Sequence, residues 1–162
     1  MSIQGKVFKF GDNIDTDQIY PGRYLELTDH KEIAEHAMEG VDPDFAEKVE
    51  SGDIIAAGSN FGCGSSREHA VICLKKAGVG AVIAKSFARI FYRNAVNMAL
   101  PVSEVKDVEF EEGEELKVDL KKAQITREDG STIDFTPFPE KILEIYGAGG
   151  VITYYKAKHK ME

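Results

Sequence analysis

Ile54-Ile55-Ala56-Ala57 and Ala81-Val82-Ile83-Ala84 are continuous apolar runs without alternation, the pattern of strands covered on both faces. Between them Ala70, Leu74 and Ala77 share one side of a helix that Gly78 ends. Residues 54–84 therefore read as a β-α-β unit, and its helical crossover makes the two strands parallel. Upstream, Val7 to Phe10 forms a short strand that runs into a loop rich in Gly, Asn, Asp and Pro over residues 11–22. Residues 30–50 carry helical spacing: Ile33, Ala34, Ala37 and Met38 share a face, and Pro43 opens a second helix through Phe45, Ala46 and Val49, stopped by Gly52.

Downstream, a helix is expected from Ser86, with Phe87, Ile90, Phe91, Ala95 and Met98 on one side, Arg89 and Arg93 on a solvated side, and Pro101 closing it. Lys85 and Ser86 then finish the strand and cap that helix. The pattern next changes to period two. Leu116, Val118 and Leu120 alternate with charged residues, and Asp129-Gly130 between Ile125-Thr126 and Ile133-Asp134-Phe135 signals a tight hairpin. Pro139 begins a last short helix, stopped by Gly147-Ala148-Gly149-Gly150. With no repeat or linker, residues 1–162 read as a single α/β domain with an antiparallel appendage.

The chain has 162 residues, 43% apolar and 30% charged, with 20 Lys plus Arg against 28 Asp plus Glu, a net charge of −8. That is a globular composition with room for one real core. The acidic balance and the lack of a basic run argue against nucleic acid, whose binding rests on Lys and Arg neutralising phosphates. No stretch approaches the roughly 20 apolar residues of a spanning helix, and no apolar signal core follows the N-terminus. A membrane is not expected, and a reducing cytoplasm is. Cys63 and Cys73 are ten residues apart, a spacing that fits no zinc or iron–sulfur pattern.

Residues 58–70, Gly58-Ser59-Asn60-Phe61-Gly62-Cys63-Gly64-Ser65-Ser66-Arg67-Glu68-His69-Ala70, join the first buried strand to the helix. Ligands bind at such places in open α/β sheets. The glycines allow close backbone approach, and the helix start offers free N–H groups to an anion. No Lys-Ser/Thr follows the glycines, and the dinucleotide fingerprint fails at its third glycine, so nucleotides fit poorly. Arg67 suits a planar carboxylate, which its fork can hold bidentately. Ser65 and Glu68 also have capping-box spacing, so Ser65 can equally be an N-cap. A helix terminus lowers a serine's pKa by roughly 1.5 units at about 2 kcal/mol, far too little to make Ser65 a base unaided. Two other readings stay open: a stand-alone carboxylate-binding module, and a cysteine nucleophile pairing Cys63 with His69.

Three motifs in register now carry a resemblance. Gly64-Ser65-Ser66-Arg67-Glu68-His69-Ala70, with Ala84-Lys85-Ser86-Phe87-Ala88-Arg89-Ile90-Phe91 after it and Asp12-Asn13-Ile14-Asp15-Thr16-Asp17 before it, resembles the swivelling domain of the aconitase superfamily. The form is similar to that of the 3-isopropylmalate dehydratase small subunits, over nearly the whole chain. The resemblance implies a swivelling β/β/α fold with a β-α-β core and an antiparallel hairpin. It implies a hydro-lyase half-site that works only with a large subunit, whose three cysteines hold a [4Fe-4S] cluster, so no cofactor is bound by this chain. The implied reaction interconverts 2-isopropylmalate and 3-isopropylmalate in leucine biosynthesis. Carried over by motif, Ser65 is the base that takes a proton alpha to a carboxylate, Ser66 and Arg67 hold that carboxylate, and Asp17 supports the site.

The same resemblance assigns the variable group of the substrate to the segment of Tyr24, Leu25, Glu26 and Leu27. A third carboxylate, as in homoaconitate, would call for an arginine after Tyr-Leu, because an unpaired buried charge is costly. Glu26 and Leu27 stand there instead. Leu27 suits an isopropyl group and Glu26 would repel a carboxylate, which favours isopropylmalate; a dimethylmalate-type substrate stays open, as does self-association of small subunits. For Asp15 and Asp17, simple Asx-turns are the alternative reading.

Overall fold

The computed structural model describes residues 1–160. In chain order the elements are β1 (Ser2–Lys9), α1 (Thr16–Ile19), α2 (His30–Ala34), α3 (Phe45–Lys48), β2 (Ile54–Ala57), α4 (Glu68–Ala77) and β3 (Ala81–Ala84). There follow α5 (Arg89–Asn97), β4 (Val102–Glu104), β5 (Glu115–Asp119), β6 (Gln124–Arg127), β7 (Thr132–Asp134), α6 (Glu140–Ala148) and α7 (Val151–Lys160). The seven strands form one mixed sheet in the order β4-β3-β2-β1-β5-β6-β7.

The expected β-α-β unit is present. β2 and β3 are parallel in the register Ile54↔Ala81 to Ala57↔Ala84, and nearly every residue of both is buried. β1 is the seam of the sheet: it runs parallel to β2 on one side and antiparallel to β5 on the other. This explains why β1 begins at Ser2, well before Val7. Its first half pairs only with β5, through Ser2↔Asp119 and Ile3↔Val118, so one face suffices and the apolar run is short. β5 alternates as expected, with Leu116 and Val118 buried between exposed neighbours. β6 and β7 form the hairpin, with Ile125 opposite Ile133 and Gly130 at φ +86° in the turn.

Several elements differ from the sequence reading. The helix expected over residues 30–38 stops at Ala34, because Met38 turns left-handed (φ +59°) to donate its N–H to the Ile19 carbonyl at 2.7 Å. α5 begins at Arg89, not at Ser86. Residues 86–88 run extended beside Phe61: Phe61 N–H donates to Ser86 O and Ala88 N–H to Phe61 O. Ser86 therefore caps no helix, and its hydroxyl instead accepts from the Asn60 N–H at 2.8 Å. Past Gly149 (φ +85°) the chain turns into a further helix, α7, whose Ile152 and Tyr155 are exposed. Its lack of an apolar stripe left no periodic signal.

Three consecutive connections leave the carboxyl ends of the adjacent parallel strands β1, β2 and β3, and so emerge at one edge of the sheet. They lead to α1, α4 and α5 respectively. In such a sheet this edge is where a ligand finds an open crevice.

Candidate active site

The loops after β1 and β2 are laced together by backbone. Asn13 N–H donates to Ser59 O (2.8 Å), Gly62 N–H to Ile14 O (2.8 Å) and Thr16 N–H to Cys63 O (2.8 Å). Gly62 lies at φ +84°, and a Cβ there would stand 2.3 Å from the Phe91 ring, so only glycine allows the loop to pass over α5. Phe61, wholly buried, packs edge-on against Phe87 and Phe91 and fixes the same crossing.

The capping box expected at Ser65 is not formed. Arg67 occupies the N-cap position of α4 with extended backbone and no side-chain cap, and Ser65 is exposed with its hydroxyl unengaged among the described residues. The loop is held by its partner loop, so the hydroxyl is not needed as a cap. The true capping box sits on α1: Asp15 accepts from Gln18 N–H at 2.8 Å and the Gln18 side chain receives the Asp15 N–H at 3.0 Å. Asp15 is thus structural, as an Asx-type reading allows.

Asp17 does something else. Its carboxylate accepts from Gly22 N–H (2.9 Å) and from Arg67 Nη1 (3.1 Å). The Gly22 N–H first and the Arg67 guanidinium second hold its carboxyl below the usual range. Arg67 Nη1 also donates to the Tyr20 carbonyl at 3.1 Å. Only 17% of the Arg67 side chain is exposed, against 67% for Asp17. An ion pair so open to water adds little stability, but it fixes the plane of the guanidinium. With Nη1 engaged, the Nε and Nη2 edge makes no hydrogen bond among the described residues. That edge is a side-on fork for a carboxylate.

Ser65, Ser66 and Arg67 line one wall of an open cavity of about 800 Å³, together with Thr16, Gly62 and Gly64. The opposite wall is α5 and the segment before it, including Phe87, Arg89, Ile90 and Arg93. The structure sets Asp17 against Arg67, although Asp17 does not itself line the cavity. It also adds Arg89 and Arg93, read from sequence only as a solvated face. The signal was there in principle: two arginines four residues apart with no acidic residue in the same helical turn.

The segment after Gly22 is built differently. Tyr24 stacks on His36 with ring centroids 3.6 Å apart and an interplanar angle of 12°. The Glu39 carboxylate receives Arg23 Nη2 (3.0 Å), the Tyr24 hydroxyl (2.9 Å) and His36 Nδ1 (2.5 Å). Burial alone would raise the Glu39 pKa, but these bonds, led by His36, outweigh it and hold the carboxyl low. Tyr24 thus spends its ring and hydroxyl internally. Leu25 is 40% exposed and Glu26 is exposed, while Leu27 is half-buried and packs on the core. None of these four lines the 800 Å³ cavity. They join it through Gly22, where a Cβ would lie 3.3 Å from Arg67 Nη2.

A Cys63–His69 nucleophile is not assembled: His69 stacks on Tyr20 and its Nε2 donates to Leu27 O at 3.0 Å. Cys73 is completely buried, and burial pushes its thiol far up. With one cysteine buried and one at the loop, this chain does not offer the thiolate set of an iron–sulfur cluster. Among the described residues, no group of three or more His, Cys, Asp or Glu is placed to hold a metal ion. Among the described residues, no helix is long and apolar enough to cross a membrane.

Known proteins share this architecture. The pattern of the aconitase C-terminal domain family matches residues 14–106. The 3-isopropylmalate dehydratase small subunit of Halothermothrix orenii is 55% identical over 96% of each chain. That of Nautilia profundicola is 57% identical over 95% of this chain and 94% of its own. A crystal structure of 3-isopropylmalate dehydratase from Methanocaldococcus jannaschii superposes with a TM-score of 0.91 at 47% identity, covering 99% of this chain and 97% of that one. Aconitase X of Thermococcus kodakaraensis, at 16% identity and a TM-score of 0.50, shares the fold.

Proposed function

The chain belongs to the aconitase C-terminal domain family, among its 3-isopropylmalate dehydratase small subunits, and from that membership we propose that it supplies the carboxylate cradle and the proton-transferring oxygen of that hydro-lyase in leucine biosynthesis. The observation that supports this reading is the Arg67 guanidinium, anchored through Nη1 on Asp17 and Tyr20, with its Nε and Nη2 edge unbonded among the described residues, in a residue that lines the same cavity as Ser65 and Ser66. Arg67 and Ser66 hold one carboxylate of 2-isopropylmalate. Ser65 takes the proton from the adjacent carbon, the C–H electron pair becomes the double bond, and the neighbouring hydroxyl leaves with its bonding pair as hydroxide, so that the proton and hydroxide lost together amount to one water. Return of water with the two positions exchanged gives 3-isopropylmalate.

A large subunit is the partner in this reading, and a [4Fe-4S] cluster held by its cysteines would supply Lewis acidity toward the departing hydroxyl. In this reading the large subunit closes over the open side of the cavity. Ser65 at a helix start cannot reach a useful basicity alone, so the nearby cationic Arg67 and exclusion of water on closure supply the remaining stabilisation of its oxyanion. In the reading segment, Leu25 and Glu26 are the side chains free to meet the variable group of the substrate, and Leu27 backs them from the core. Glu26 disfavours a third carboxylate there. The setting that goes with this reading is the cytoplasm.

Substitution Ser65→Ala in the complex reconstituted with the cluster-bearing large subunit tests the assignment. Turnover is expected to fall by about 10²- to 10⁴-fold, the usual contribution of a positioned proton-transfer group, with the assembled complex intact by size-exclusion chromatography. Undiminished turnover would remove Ser65 from the chemistry.

A further inference from the structure

Arg89 and Arg93 are both exposed, and among the described residues neither makes a hydrogen bond or ion pair. This is unusual in a chain of net charge −8, where most other arginines are spoken for: Arg23 by Glu39, Arg67 by Asp17 and Arg127 by Glu114. Arg89 is moreover the first residue of α5, whose first turn holds no acidic side chain. A cation at that end of a helix opposes the helix dipole, where an acidic residue would be stabilising. The fold therefore gains nothing from Arg89 and is mildly destabilised by it. A residue that the fold does not need and pays for is a candidate for a task outside the subunit.

The surroundings indicate what kind of task. Arg89, Ile90, Arg93 and Asn97 form a single exposed stripe on α5 at helical spacing, while Phe91, Ala95 and Val96 bury the other side. Ile90 is 44% exposed between the two guanidinium groups. An apolar side chain flanked by arginines is the composition of a protein interface, where Arg is enriched and Lys depleted. Among the described residues, Glu104 is the only acidic one lining this cavity, and it forms no ion pair with either arginine.

We infer that the exposed stripe of α5, Arg89, Ile90 and Arg93, is a docking surface for a carboxylate-bearing segment of the large subunit. The inference rests on the reading above, in which a large subunit closes over this edge of the sheet. Charge complementarity commits the occupant: two unneutralised guanidinium groups on an otherwise acidic chain attract Asp or Glu side chains, speed encounter and fix orientation. Ile90 then meets an apolar neighbour once water is excluded. The stripe would set how the large subunit seats over the cavity that Ser65 lines.

The test is titration calorimetry of the small subunit against the cluster-bearing large subunit, comparing wild type with the Arg89→Glu/Arg93→Glu double variant at two salt concentrations. The dissociation constant is expected to rise at least tenfold at about 0.15 M salt, the equivalent of about 1.4 kcal/mol, and the gap should narrow as salt rises. The melting temperature of the isolated variant should be unchanged or up by about 2 °C, since Glu suits the start of α5. The milder Arg89→Gln/Arg93→Gln variant should give an intermediate loss of affinity, which guards against misfolding of the reversed pair. If wild type binds and both variants bind equally well, the inference falls while the functional reading stands. Loss of turnover at saturation with unchanged affinity would also overturn it, because the pair would then belong to substrate. If wild type itself fails to bind, the functional reading fails first.

Discussion

Two neighbouring segments meet at Gly22 and are held by different means. The seat of Ser65, Ser66 and Arg67 is tied down by backbone, through Gly62 N–H to Ile14 O, Thr16 N–H to Cys63 O and a loop that crosses α5 at a glycine. The reading segment from Arg23 to Leu27 is held by side chains that converge on Glu39. Backbone bonds survive most substitutions, whereas a side-chain clamp changes with each residue. In the proposed function, the part of the site that would perform the chemistry is thus held by backbone. The part that would meet the variable group is held by side chains that can be altered one residue at a time.

The contrast can be broken most severely at Gly62. Gly62→Ala must both place a Cβ 2.3 Å from the Phe91 ring and hold a side chain at φ +84°. Overpacking and left-handed strain together are expected to cost about 2 to 4 kcal/mol in urea unfolding. A loss below about 0.5 kcal/mol would show that the crossing is not rigid. Next in size is Arg67→Lys. A point charge cannot keep both the Asp17–Tyr20 anchor and a side-on fork, so KM for 2-isopropylmalate should rise about tenfold to a hundredfold, with a smaller change in kcat. Wild-type KM would deny Arg67 the carboxylate.

Glu39→Gln probes the other segment. It weakens three contacts without emptying the space, and KM is expected to rise about threefold to tenfold, with the preference between isopropyl and smaller substituents shifting more than kcat. An unchanged preference would mean that residues 24–27 are placed without the clamp. The smallest effect concerns pH. The Glu39 carboxyl is held below its ordinary value in the folded chain, so the unfolded chain binds its proton first as pH falls. Its contribution to stability is therefore full above the ordinary glutamate range and is lost on descending through the lowered folded value. Acid unfolding of Glu39→Gln should be less steeply pH-dependent than that of wild type below about pH 5; identical profiles would contradict the clamp.

The same contrast explains what could be read from the sequence. β2, α4 and β3 were legible because buried parallel strands and a core-facing helix stripe leave continuous and periodic apolar patterns. Ser65, Ser66 and Arg67 stood out because their loop lies at a strand end, and Asp17 entered through its motif. Asp17's hydrogen bond to Arg67, 50 residues away in the chain, was not legible, since no local pattern encodes it. The Ser65 capping box was a local signal that tertiary bonds overrode. Met38 ended a helix for a long-range bond to Ile19 that periodicity cannot express. α7 and the cavity-facing stripe of Arg89 and Arg93 went unread for a shared reason: exposed residues carry no burial pattern.

The central claim is that this chain holds one half of a reaction pocket. It is tested most directly by measuring isomerisation of 2-isopropylmalate while this chain is titrated, without oxygen, into a fixed amount of large subunit carrying its cluster. Turnover should be absent with either protein alone and should rise to a plateau as the two associate. Turnover by this chain unaccompanied, or a large-subunit rate that its addition leaves unchanged, would contradict the account.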